Sequence, residues 1–232
     1  MRTLIQPVIL ICFILTFFSV HSQIREKAEF GKLDPRDTNV TSYPKDPEAP
    51  GVVLYERGKN YWRLMDNKYV RLIKEVHVRI KVFDASRFKG ATVYIPYYRD
   101  KDAEEVIEKF KAITHNGDLK NYVGENAIFN TDETANWSVK RFTFPNVQDG
   151  SILEYTYQIE TPFFFNFGGW QFQGDLPKIY SEFISEIPGN YVYNRSLIGH
   201  ESLDVNEVSL KKDCFYVPTY DTSDCELGVY AM

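Results

Sequence analysis

The sequence predicts an antiparallel all-β fold, most simply a two-sheet sandwich, and three observations carry that prediction. Runs of period-two alternation recur, turn signals separate them, and aromatic residues make up 16% of the composition. In VRLIKEVHVRIKVFD, residues Val76, Val78, Ile80 and Val82 share one face while Glu75, His77, Arg79 and Lys81 share the other, the pattern of a half-buried strand. SILEYTYQIE repeats it, with Leu153, Tyr155, Tyr157 and Ile159 opposite Glu154, Thr156, Gln158 and Glu160.

The elements follow in order from the N-terminus. Met1 to Val20 carries one cation, Arg2, ahead of the apolar run VILICFILTFFSV, and polar His21-Ser22-Gln23 come next. This predicts a secretory signal peptide over 1–22, cut before Gln23, with an uncleaved membrane anchor of about 20 residues as the alternative. Cys12 lies inside that run behind bulky Ile11, a poor setting for lipid attachment. The implied location is exported: periplasmic, cell-surface or extracellular. Residues 23–50 are polar and marked by Pro35, Pro44, Pro47 and Pro50, so they are expected to form an extended N-terminal arm.

A β-sandwich domain is expected over 51–217. His115-Asn116-Gly117-Asp118 offers an Asn-Gly turn between two runs. That turn decides residues 107–114 in favour of strand, although Val106, Phe110 and Ile113 also fit a helical face. Asn146 to Gly150 separates WSVKRFTF from SILEYTYQIE, and its Asp149-Gly150 pair can supply the positive φ of a hairpin loop. Residues 218–232 end in CELGVYAM, read as the start of a connection onward, with a docked edge strand as the alternative.

Charge and motif content narrow the function classes. The formal net charge is −5, and losing Arg2 with the leader makes it −6; without a Lys/Arg block, nucleic acid and anionic membranes are not expected partners. His77, His115 and His200 stand far apart with no ligand at metal-binding spacing, so no metal and no other cofactor is expected. His77 reads as a polar-face strand residue. The carboxylates Asp100, Asp102, Glu104 and Glu105 could serve a glycosidase only if two were held across a sugar ring, and a solvated charged turn explains them better. Gly168-Gly169 lacks the Lys or Ser of a phosphate loop, and there is no GxSxG elbow. A hydrolase using unrecognised carboxylates is the weakest of the readings kept open.

Cys214 and Cys225 are the two thiols beyond the leader, and in an oxidising compartment an even count makes them a candidate disulfide; a packed pair of free thiols is the alternative. Cys214 sits in KKDCFYV, which predicts a strand rather than the helix N-terminus or His-paired setting that activates a nucleophilic thiolate. The sequons Asn39-Val-Thr41, Asn136-Trp-Ser138 and Asn194-Arg-Ser196 matter only in a host that glycosylates them.

The segment FGKLDPRDTNVTSYPKDPEAPGVVLYERG, Phe30 to Gly58, resembles the opening of a domain-of-unknown-function family in exported bacterial proteins of Bacteroidetes type. The resemblance continues in order through FKAITHNGDL, FTFPNVQDGSILEYTY and GWQFQGDLPKIYSEFISEIP, and so covers most of the chain after the leader. It implies a β-sandwich-like domain without established catalysis, standing before a transglutaminase-like domain whose papain-like Cys-His-Asp unit would lie beyond Met232. The implied function is that of a non-catalytic accessory to that domain in cis. A free-standing secreted module binding a glycan or peptide is the alternative.

FFFNFGGWQF bears on both readings. Phe163, Phe164, Phe165, Phe167, Trp170 and Phe172 are either core and interdomain packing or a ligand platform helped by Asn166, Gln171 and Gln173. Packing is favoured, because burying one Phe is worth about 1.5–3 kcal/mol and several exposed together invite aggregation. The expectation is that Trp170 and Phe172 are largely buried, with Phe163 to Phe165 as the exposed lip.

Overall fold

The structure, a computed structural model, describes residues 27–66, 69–189, 194–199, 201–211 and 227–231. The leader over 1–22, His200, Cys214 and Cys225 lie outside the described residues.

Two sheets form a sandwich. Strands β1 (Gly51–Met65) and β2 (Tyr69–Val82) make a long antiparallel hairpin, registered from Gly51 opposite Val82 to Met65 opposite Tyr69. The β-branched and aromatic residues in both runs suit a pleated, packed surface. β3 (Thr92–Tyr98) belongs to the smaller sheet, together with β6 (Ile128–Asp132) and β7 (Trp137–Thr143), in the order β3-β7-β6. β4 (Val106–Asn116) and β5 (Leu119–Tyr122) form the expected hairpin, with Gly117 at φ +62°. β8 (Ile152–Thr161) lies between β2 and β4. With β9 (Ser181–Pro188), β10 (Glu207–Lys211) and β11 (Leu227–Ala231), the large sheet reads β10-β11-β9-β1-β2-β8-β4-β5. No helix among the described residues is long and apolar enough to cross a membrane.

The core fills the space between the sheets. Val78, Ile80, Val82, Leu153 and Ile159 of the large sheet meet Ile95 and Phe142 of the small one, with Phe88 and Phe144 from the connections. Phe142 is fully buried and packs edge-on against Phe110, Phe144 and Tyr155 at ring distances of 4.8–5.9 Å. Such edge-to-face contacts use the positive rim of one ring against the negative face of the next.

Three features depart from the sequence reading. Asn146 to Gly150 does contain positive-φ residues, Asn146 at +52° and Gly150 at +84°, yet it does not close a hairpin. It carries the chain from β7 in one sheet to β8 in the other. β9 pairs with β1 in parallel, the exception in an otherwise antiparallel ladder. β8 and β9 therefore run the same way on opposite sides of the β1-β2 hairpin, so residues 162–180 must cross the sheet, as parallel-running strands require. Finally, Leu227–Ala231 is a strand between β9 and β10, where a connection was expected over 218–232.

Candidate functional site

The arm determines the chemistry of the second face of the large sheet. Leu33, Val40 and Tyr43 of the arm pack with Phe83 against Val52, Leu54 and Ile152. A single helical turn, α1 (Pro35–Thr38), starts at Asp34, whose side chain accepts from the Arg36 N–H, with Pro35 in the first-turn position that tolerates a missing donor. Upstream of it the arm crosses the strands. The Ala28 N–H reaches the Tyr55 hydroxyl on β1 at 3.3 Å, the Gly31 N–H reaches Glu154 on β8 at 3.0 Å, and the Gly31 carbonyl accepts from Lys120 on β5 at 2.7 Å.

Under this cover sits a polar cluster. Glu154 is completely buried, and Arg79, the largest fully buried side chain, donates from Nε to its Oε1 at 2.9 Å. The remaining guanidinium nitrogens reach Asp37 at 3.1 Å and the carbonyls of Glu29 and Lys32 at 2.6 Å each. His77 Nε2 lies 2.7 Å from Glu154 Oε1, and His115 Nε2 lies 2.9 Å from Oε2. An ionised carboxylate only accepts, so both imidazoles carry their proton on Nε2. Burial pushes the Glu154 carboxyl upward, but hydrogen bonds from His115 and His77, the charge of Arg79 and the Gly31 N–H outweigh it and hold the pKa at about 2. His77 is on the face its alternation assigns, but that face is covered and His77 is 9% exposed.

This arrangement ties the arm to strands β2, β4 and β8. Neither imidazole is hydrogen-bonded to a hydroxyl or thiol among the described residues, whereas a base that activates a nucleophile must hold it within hydrogen-bond reach. Among the described residues no three His, Cys, Asp or Glu side chains are placed to hold a metal.

Beside the arm the same face opens into a groove of about 430 Å³. Lys27, Glu29 and Phe30 of the arm form one border, and residues of β1, β2, β8 and β4, among them Arg57, Lys59, Glu75, Lys109 and Lys111, line the remainder. Lys109 has φ +50° and sits in a bulge, where the pairing of β4 with β8 slips between Glu108 and Lys111. A non-glycine residue in this region is uncommon, and bulges of this kind re-aim side chains.

The aromatic stretch is divided differently from its expected pattern. Phe163 is buried at 7% exposure, not part of a lip, because it packs edge-on against Tyr98 at 4.9 Å and its N–H is bonded to Thr161. Phe164 and Phe165 are exposed, at 38% and 76%. Trp170 and Phe172 are half-buried, not largely buried. Trp170 stacks on Phe183 at 5.5 Å and donates from Nε1 to Ser181 at 2.9 Å. The Phe167 carbonyl accepts from the buried amide of Asn60 at 2.8 Å. Phe164 meets Trp62, and Phe165 meets Tyr98, at interplanar angles of 68° and 85°, so these rings do not share a plane.

Glu105 also corrects its sequence reading as part of a solvated turn. It is 3% exposed, paired with Lys74 at 3.1 Å, and accepts from Asn166 at 2.9 Å and the Tyr98 N–H at 2.7 Å. Asp100 does belong to a turn, accepting from the N–H groups of Asp102 and Ala103.

No protein-family model and no curated protein sequence matches this chain. Among solved structures, the crystal structure of a protein from Parabacteroides distasonis, described as a putative protease, is similar with a TM-score of 0.50 at 9% identity. The match covers 79% of this chain and 35% of that one, so this chain spans about a third of that protein, and at this identity the likeness concerns the fold.

Proposed function

We propose that this chain is a non-catalytic exported β domain that serves as an accessory to a transglutaminase-like domain in cis. The observation that carries the reading is the recurrence of this fold as 35% of a longer chain, in company with further structure. Glu154 holds His77, His115 and the Gly31 N–H of the arm, which fits a face given over to holding the arm in place. Phe164 and Phe165 supply a surface for a neighbouring domain.

The test has two parts. The purified chain, assayed on peptide substrates, should show neither hydrolysis nor crosslinking, and the coding DNA should continue in frame past Met232 into Cys and His motifs. Thiol-dependent activity that disappears in Cys214→Ala would overturn the non-catalytic reading, and a stop codon directly after Met232 in an intact gene would overturn the accessory one.

The alternative, a free-standing module for a glycan or peptide, has one observation in its favour, the groove beside the arm. The exposed rings favour it less, because a sugar stacks on flat aromatic faces and these meet at steep angles.

A further inference from the structure

The groove beside the arm has an uneven distribution of charge. On its β1 side, Arg57 is paired with Glu182 at 2.8 Å and Lys59 with Glu186 at 2.7 Å. Within it, Glu75 accepts from Tyr61 at 2.9 Å and from Gln158, and at its border Glu29 is paired with Lys32 at 2.8 Å. Three lining cations, Lys27, Lys109 and Lys111, have no carboxylate partner among the described residues. Lys111 lies over the Phe30 ring at 5.9 Å. Unpaired cations thus gather on one face of a protein whose net charge is −5.

Their positions are as informative as their sign. Lys27 adjoins Ala28, which is bonded to β1, whereas Lys109 and Lys111 belong to β4. In the order β1-β2-β8-β4 the strand backbones at the two ends of the groove are three strand spacings apart, about 14 Å. An extended chain advances about 3.3 Å per residue, so carboxylates four residues apart lie about 13 Å from each other. The bulge is a second feature of this border, because Lys109 lines the groove from a positive-φ backbone that a lysine ordinarily avoids.

We propose that this groove binds an extended acidic peptide segment, laid across the strands beside the arm, with one carboxylate at Lys27 and another at Lys109 and Lys111. The site holds whether or not a catalytic domain follows, since it is built wholly from residues 27–158.

Isothermal titration at low salt with acetylated, amidated Glu-Ala-Ala-Ala-Glu tests this directly. Saturable binding is expected, weakening by about tenfold or more in Lys109→Gly/Lys111→Ala, with a separate loss in Lys27→Ala. Glycine accepts the backbone at position 109, and an unchanged thermal melt shows that the variant is folded. The Gln-Ala-Ala-Ala-Gln peptide should not bind. Equal binding of that peptide, no saturable binding of the acidic one, or full affinity in the lysine variants would overturn the site. Inorganic phosphate displacing the peptide at micromolar concentration, or indifference to Lys27→Ala, would overturn the two-ended geometry.

Discussion

The two faces of the large sheet are covered over its central strands by opposite means. The inner face meets β3-β7-β6 through Val, Ile, Leu and Phe side chains, an arrangement that needs no particular partner at any one position. The outer face is covered by residues 27–50, and there the contacts are specific: Arg79 donates to two side chains and two backbone carbonyls of different segments. The comparison teaches that cohesion on one side is spread over area, while on the other it is concentrated in a few atoms. A concentrated set of buried charges contributes little net stability when complete but is costly to break.

The comparison is broken most sharply by removing one centre from each face. Glu154→Ala leaves the Arg79 guanidinium buried and short of a partner, with an expected loss of about 3–5 kcal/mol. Phe142→Ala leaves a cavity in the inner core, also at about 3–5 kcal/mol. Chemical denaturation should find the two equal in size but different in coupling. Arg79→Ala combined with Glu154→Ala should cost less than the sum by about 1–3 kcal/mol, whereas Phe142→Ala with Glu154→Ala should add. Additivity within the ionic pair would show that the cluster does not act as a unit.

Acid separates the faces next. The folded pKa of Glu154 is lowered from 4.5 to about 2, so its stabilisation is complete above about pH 4.5 and is lost as pH falls through 2. The gap corresponds to about 3 kcal/mol between pH 6 and pH 2. Phe142→Ala should keep this slope and Glu154→Gln should flatten it. A parallel pH profile in Glu154→Gln would assign the acid sensitivity to other carboxylates.

How much of this could be read from the sequence depends on which face is considered. The inner face was legible, because Val76, Val78, Ile80 and Val82 alternate cleanly and the Asn-Gly turn at 116–117 breaks the chain where β4 meets β5. The outer face was not, since His77, Arg79 and Glu154 alternate just as cleanly when solvated as when covered by an arm. One signal was present: Val52, Val53, Leu54 and Tyr55 are apolar in succession, which a strand allows only where both faces are buried. The aromatic stretch was misjudged residue by residue because its burial follows from β8 and β9 running the same way, a fact of topology with no local code. The groove was invisible for the same reason, as it brings the arm to strands β1, β2, β8 and β4.

A smaller effect tests the crossing connection. Gly58 of β1 lies directly under Trp170, so that a Cβ there would overlap the indole ring. Gly58→Ala should cost about 1–3 kcal/mol by forcing the indole aside, and Trp170→Ala should relieve that penalty. If Gly58→Ala is neutral, Trp170 moves freely and the connection contributes little to the inner face. The indole fluorescence maximum checks this independently, since displacement into water shifts it to the red.

The smallest expected effect on stability is at the exposed lip, and it is the one that bears on function. Phe165 is 76% exposed, so Phe165→Ser removes little buried area and should change stability by no more than about 0.5 kcal/mol. If Phe164 and Phe165 form the proposed surface for a neighbouring domain, the loss appears elsewhere, in weaker docking of that domain in a longer chain. Sedimentation of the present chain offers an earlier reading, because an apolar surface without its partner promotes self-association. Phe165→Ser should then move the chain toward monomer at equal concentration while its melting temperature holds. A melting temperature that falls by many degrees would place Phe165 in the fold's own packing around Tyr98, and an unchanged sedimentation profile would remove the lip from the list of docking surfaces.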